Sequence, residues 1–332
     1  MEKHRFINRA ASGNNYWPLY LAVIVLLIIG NVIVSIPASF ILMKLGVNPA
    51  DLQNMDSINP EDLGIHPALG LAVLILPFVI SIPVLAFGVK YIHQRPFLSM
   101  ISPVDKIDWK RFFTAMGFWL ALMGGFEMVA YLTEPENYTW NFDAGKFFPT
   151  LLVVLLLIPL QTSLEELLFR GYLLQGFGLW FKRPWATILM TSTLFGLLHI
   201  ANPEISKFGY GILLYYIGFG VIMAVITIMD ERMEIALGVH AGNNIYGASV
   251  VTFSGSALQT PTLFTMQEYH LGLMTGIWLV ASAIFVVVMM RKYNWQDWGK
   301  LVEKIAIIPP ETISHLEDMG ANDSYPSANN SA

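Results

Sequence analysis

The stretch LLVVLLLIPLQTSLEELLFR, residues 151–170, begins as sequence suited to lipid and ends on Glu165, Glu166 and Arg170. An apolar run of this kind reads as a membrane span, for which about 20 residues of helix are needed. An ionisable group at bilayer depth costs roughly 2.5–3.5 kcal/mol even on insertion-derived scales. Such groups therefore face a bundle interior or a wet cavity and tend to mark function. Two more polar clusters interrupt apolar sequence in the same way: Phe195 with His199, and His240 with Asn244, each pair four residues apart. Two histidines, two acids, an arginine and an amide point to water-activating chemistry inside the membrane.

The rest of the chain fits that setting. Of its 332 residues 55% are hydrophobic and 13% charged, with a mean hydropathy of +0.55; a soluble domain carries about 25% charged residues. An all-α polytopic membrane protein follows. Apolar runs predict about eight transmembrane helices, near 17–43, 67–92, 112–133, 147–170, 185–201, 209–229, 233–252 and 270–290. The first is too long for a secretory signal core and shows no small-residue cleavage site, so it is expected to remain as an anchor. Cysteine is absent, which excludes disulfides, a cysteine nucleophile and cysteine-ligated metal. No long repeat and no large soluble domain stands out. The expected organisation is a cytoplasmic N-terminal segment (1–16), an eight-helix membrane domain (17–292) with its chemical core over 147–252, and a cytoplasmic tail (293–332).

Charge orients these spans. Lys3, Arg5, Arg9, Lys90, Arg95, Lys106, Lys110, Arg111, Lys182, Arg183, Arg232, Arg291, Lys292, Lys300 and Lys304 fall on the side of the N-terminus, 15 of the 19 basic residues. Lys44, Lys146 and Lys207 fall opposite, with most of the loop acids, including Asp51, Asp56, Glu61, Asp62, Glu134, Glu136 and Asp143. The positive-inside rule then places both termini in the cytoplasm, and a bacterial cell membrane is the expected location. Trp17, Trp109, Trp180 and Trp185 lie near the cytoplasmic ends of spans, as an aromatic belt would. Beyond the last span, Trp295, Trp298, Leu301, Val302 and Ile305 recur at helical spacing, which predicts an amphipathic helix on the inner leaflet or a solvated helical tail. The Ser/Asn/Ala-rich end reads as disordered.

Residues four apart share a helix face. Glu166 and Arg170 can therefore pair, leaving Glu165, about 100° further round, to act as a general base. Three helices could send a Glu, two His and an Asn into one cavity. Depths counted along the helices agree only if the fourth and fifth are long or tilted. Gly238 and Gly242 bracket His240 in a G-x-x-x-G spacing that lets helix backbones approach. Glu127, inside the third span, is either a partner of the site or a structural hydrogen-bonding group, the latter being favoured. No H-E-x-x-H occurs, and Ser254-Gly255-Ser256 reads as a loop without a paired base.

At these motifs the sequence resembles the CPBP family of intramembrane proteases (type II CAAX prenyl proteases, also the Abi or bacteriocin-processing family). That family is marked by Glu-Glu-x-x-x-Arg, Phe-x-x-x-His and His-x-x-x-Asn motifs, matched here by Glu165–Arg170, Phe195–His199 and His240–Asn244. The resemblance implies peptide-bond hydrolysis in a membrane cavity opening towards the cytoplasm. It implies that Glu165 and His199 activate water, that His240 and Asn244 stabilise the oxyanion, and that Glu166 and Arg170, with Phe195, hold the geometry. Glu165, His199 and His240 could bind a divalent metal such as zinc, and a metal-free Glu/His mechanism is equally compatible. The expected partners are membrane lipid and a peptide or membrane-associated, lipidated protein substrate; nucleic acid is not one. The alternatives are a proton-coupled transporter, in which the same residues relay protons, and a catalytically silent immunity or scaffold protein.

Overall fold

In a computed structural model, which describes residues 5–44, 47, 64–104 and 106–307, the chain is almost wholly helical. Among the described residues, seven helical stretches are long and apolar enough to cross a membrane: Trp17–Lys44, Pro67–Ile92, Trp109–Thr133, Ala144–Phe181, Pro184–Ala201, Glu204–Asp230 and Leu271–Tyr293. They coincide closely with seven of the eight expected spans. The remaining one, near 233–252, is the 16-residue helix Glu234–Ser249, shorter than the others and enclosed by them.

The helices used below are α1 (Arg5–Asn8), α2 (Trp17–Lys44), α3 (Pro67–Phe87), α4 (Trp109–Thr133), α5 (Ala144–Glu166), α6 (Leu174–Phe181), α7 (Pro184–Leu198), α8 (Glu204–Phe208), α9 (Leu213–Asp230), α10 (Glu234–Ser249) and α11 (Leu271–Tyr293). Their ends follow local chemistry. Asp108 caps α4 by accepting from the Arg111 amide, and Asp143 caps α5 by accepting from Gly145 and Lys146, each satisfying otherwise orphaned N–H groups. Pro184 starts α7, where its missing N–H costs nothing. Between α5 and α6 the chain does not break but widens into a π-helical segment, Leu167–Leu173. The combined 38-residue stretch is roughly 57 Å long at the α-helical rise. The fourth span is thus long, as the depth count required.

Helix α10 lies against α4, α5 and α9. A Cβ at Gly238 would run into the Phe112 carbonyl oxygen of α4, and one at Gly242 would lie 3.2 Å from the Met116 carbonyl oxygen. The G-x-x-x-G spacing therefore does what it was expected to do: it seats the backbone of α10 on α4. His240 sits two residues beyond Gly238, about 200° round the helix, and so faces the other way, towards α5.

Among the described residues, the loops sort onto two faces as the charge pattern divides them. On the face of the N-terminus, Gln175 of α6 donates to the Phe6 carbonyl at 2.8 Å, and Ile7 fills the space over Gly178. The segment after α11 crosses the same face: Trp295 donates to Asp230, Lys300 pairs with Glu231 at 2.9 Å, and the Ile305 amide reaches the Lys182 carbonyl. The turn between α9 and α10 also rests on the loop before α4, through Met233 N to Ile101 O and Asp108 N to Glu234 Oε1. Trp17, Trp109, Trp180 and Trp185 are all exposed near this face, as belt residues should be.

Within the N-terminal segment, Phe6, Ile7, Asn8 and Arg9 are buried. One sequence expectation changes here. The amphipathic helix expected after 293 is instead one 3-10 turn, Trp298–Leu301. Trp295 and Ile305 are buried in the bundle, so two of the apolar side chains assigned to the lipid surface are used in packing against protein. The remainder of the tail, and the acids at 51, 56, 61 and 62, lie outside the described residues.

On the opposite face, three short strands, β1 (Tyr138–Trp140), β2 (Val251–Phe253) and β3 (Phe264–Met266), form a sheet in the order β1-β3-β2. β1 runs antiparallel to β3 with Thr139 opposite Thr265, and β2 runs parallel to it. Tyr138 and Tyr246 both donate to the Glu127 carboxylate, at 2.6 and 2.8 Å. The intramembrane acid thus ties α4 to α10 and the sheet, its favoured structural reading. Ser254-Gly255-Ser256 is a turn, with Gly255 at φ +85°.

Replacing Gly238 with Ala should destabilise the protein by about 1–3 kcal/mol, the usual cost of forcing atoms into a packed interior. Gly247→Ala, where an added Cβ meets nothing within 4 Å, should be neutral or mildly stabilising. Thermal unfolding of the two variants in detergent measures the contrast; equal midpoints would show that α10 does not depend on this close approach.

Candidate active site

The site is assembled from the π-widened end of α5, the far end of α7 and the middle of α10. Its centre is Glu166, whose side chain is fully buried. One oxygen, Oε1, accepts from Arg170 Nη1 at 3.0 Å, within the same helical stretch, and from His240 Nδ1 at 2.7 Å. The expected Glu166–Arg170 pair is present. The hydrogen bond to His240 was not anticipated, and it locks α10 to α5.

Arg170 is equally buried, and its guanidinium carbon lies 4.5 Å from the centre of the Phe195 ring. A cation over an aromatic face is attracted by the ring quadrupole, an interaction of about 2 kcal/mol or more when desolvated. The same ring lies 4.7 Å from that of His199 and 6.1 Å from that of His240. Phe195 is thus the apolar wall shared by the arginine and both histidines.

His199 lies where α7 ends and a 3-10 turn begins. Its Nδ1 is 2.8 Å from the Phe195 carbonyl oxygen. A carbonyl can only accept, so Nδ1 carries the proton, and in the neutral ring Nε2 keeps its lone pair. The opposite side of the imidazole stacks on Tyr216 of α9, with ring centres 4.0 Å apart and planes inclined by 19°. Asn202 donates to the Tyr216 hydroxyl.

Glu165 projects separately from Glu166, as helical geometry required. Its Oε2 is 3.6 Å from His240 Nε2, while Gln161, one turn earlier, donates to Oε1. Asn244 approaches the same glutamine, with Nδ2 3.5 Å from Gln161 Oε1, and accepts from Asn243 at 3.3 Å. The structure therefore brings Glu165, Glu166, Arg170, Phe195, His199, His240 and Asn244 into one neighbourhood. Among the described residues, no direct hydrogen bond joins Glu165 to His199.

Gln161 and Tyr216 were missed from the sequence. Gln161 had a usable signal: it is polar, lies within a span and sits four residues before Glu165. Tyr216 had none, since an aromatic residue in an apolar helix gives no hint of whether it meets lipid, core or the imidazole of His199.

A metal fits this arrangement poorly. Among the described residues, no three His, Asp or Glu side chains are grouped so as to hold an ion.

Comparison with known proteins agrees with the region. Residues 145–246 match the family described as Type II CAAX prenyl endopeptidase Rce1-like, an interval that contains all three motifs. The uncharacterized protein YyaK of Bacillus subtilis (strain 168) is 32% identical over 266 residues, covering 79% of this chain and 87% of that protein. No solved structure matches.

Removing one partner from the buried pair should be far worse than removing both. Glu166→Ala leaves Arg170 charged and unpaired and should cost about 3–5 kcal/mol, whereas Glu166→Leu with Arg170→Met should recover much of that loss. Unfolding in detergent tests this. A double variant as unstable as the single one would mean that the bond to His240, rather than charge pairing, holds the site.

Proposed function

This chain belongs to the Rce1-like type II CAAX prenyl endopeptidase family, and on that premise we propose that it is an intramembrane endopeptidase in which Glu165 activates water without a metal. The observation carrying this reading is the meeting of Glu165, His199, His240 and Asn244 from three helices around the buried Glu166–Arg170 pair and the Phe195 ring. A transporter relay would not need this combination of a carboxylate separate from the buried ion pair, a base-oriented imidazole and an amide.

In the proposed reaction the water sits between Glu165 and His199, whose Nε2 lone pair accepts one of its hydrogens. Glu165 takes the other as a proton while the water oxygen attacks the peptide carbonyl. His240 donates Nδ1–H to Glu166, and its ring, with the Asn244 amide, lines the place where the oxyanion develops. Collapse of the tetrahedral intermediate breaks the C–N bond, and Glu165 returns its proton to the leaving amine. A positioned base supplies about 10²–10⁴-fold and an oriented oxyanion donor about 10²–10³-fold. Arg170 and Glu166 act through His240, by fixing its ring.

The substrate class follows the family description: a membrane-associated peptide or protein, with a prenylated CAAX end as the first candidate. The proposal keeps both termini on the cytoplasmic side of the membrane, the side to which the positive-inside rule assigns 15 of the 19 basic residues.

Purified protein in lipid nanodiscs should cleave a fluorogenic peptide ending in farnesyl-CAAX faster than its unprenylated counterpart. Glu165→Gln should lower kcat by about 10²–10⁴-fold with normal membrane accumulation. Full activity in that variant would remove Glu165 as base, and proton-linked solute uptake in place of cleavage would restore the carrier. Phenanthroline should leave the rate unchanged; loss that zinc restores would overturn the metal-free mechanism. Because the chain has no cysteine, single cysteines at Lys182 and Lys207 report orientation. An impermeant maleimide should label position 207 on intact cells and position 182 only after lysis; the reverse pattern would invert the topology.

A further inference from the structure

Gln161 is a polar side chain that the reaction above does not use, yet it touches two of the groups that the reaction needs. It lies one helical turn before Glu165, on the same face of α5. Its amide nitrogen donates to Glu165 Oε1, and its carbonyl oxygen faces Asn244 Nδ2 at 3.5 Å. Asn244 is held at its other end, where Oδ1 accepts from Asn243 Nδ2 at 3.3 Å. The three contacts share one direction: Asn243 donates to Asn244, Asn244 to Gln161, and Gln161 to the carboxylate. A chain of amides with every donor pointing towards an anion is mutually polarising, so each bond strengthens the next.

We propose that Gln161 is a positioning residue that couples the water-activating carboxylate of Glu165 to the oxyanion-binding amide of Asn244. The inference rests on the proteolytic reading and extends it from separate groups to a linked pair. With Oε1 engaged by Gln161, Oε2 is the oxygen turned towards His240, 3.6 Å away. With one Asn244 N–H directed at Gln161 and its oxygen at Asn243, the second N–H is the one left for the substrate. A neutral amide suits the joint because it donates to one neighbour while accepting from the other. A glutamate at 161 would set a second negative charge beside Glu165, and a methionine would fill similar space with neither function.

The test compares Gln161→Met and Gln161→Glu with the unmodified chain in the peptide-cleavage assay, over a range of pH. Gln161→Met should lower kcat about 10-fold or more with KM little changed, and should move the acid limb of the kcat profile to higher pH, because ionised Glu165 has lost a donor. Gln161→Glu should move that limb further in the same direction. In a double-mutant cycle, Gln161→Met and Asn244→Ala should be non-additive, as residues in one network are. A lower unfolding temperature with an unmoved pH profile and additive effects would mean that Gln161 only packs, and the inference would fail while the protease stands. If Glu165→Gln retains full activity, or the unmodified chain cleaves no peptide, the underlying reading falls and this one with it.

Discussion

One carboxylate oxygen, Glu166 Oε1, receives hydrogen bonds from Arg170 and His240, and the arrangement of the site depends on it. The group is fully buried, in a setting where an unpaired charge would cost several kcal/mol. That cost makes the contacts demanding. α10 must present His240 to α5, and the helix must widen through Leu167–Leu173 with Arg170 still within reach of Glu166. A π-helical segment of this kind is uncommon and tends to mark functional positions. Here it carries the arginine.

The demand for close approach explains the character of α10. It is the least lipid-like of the long helices, containing Gly238, His240, Gly242, Asn243 and Asn244, because its surroundings are protein. Glycines press one side onto α4, and polar side chains elsewhere on the helix reach Glu165, Glu166 and Gln161. The same enclosure explains why the α9–α10 turn is underpinned so heavily. His240 stands only about 12 Å beyond Arg232 along the helix, whereas Glu165 is roughly 25 Å from Lys182. If both helices ran along the membrane normal, their cytoplasmic ends would lie at different levels. The segments 5–12, 97–104, 106–108 and 295–306 pack at these ends, through contacts with Asp230, Glu231, Met233 and Glu234.

Much of this was legible in the residues. Seven spans lie near where hydropathy placed them, the fourth running on to Phe181, and the described basic loops gather with the N-terminal segment on one face. The motif residues lie in one neighbourhood. The role of G-x-x-x-G was also readable, since two glycines one turn apart leave a backbone exposed to a neighbouring helix. Other features resisted for identifiable reasons. Trp295 and Ile305 have the spacing of a membrane-surface helix, but hydrophobicity alone does not distinguish lipid from a protein groove, and the groove was the better partner. Tyr216 was invisible for the same reason.

The sequence by itself determined that the chain is a membrane-spanning helical bundle, how its loops divide between two faces, and which polar residues are too costly in lipid to be incidental. Those properties belong to each residue and its solvent, and they hold before any helix meets another. Only the tertiary structure decided that Glu166 rather than Glu165 takes the hydrogen bond from His240 Nδ1, that Phe195 packs against both histidines, and that Gln161 stands between Glu165 and Asn244. A helical repeat fixes which residues share a face, but the partner across that face is set by how the backbones pack.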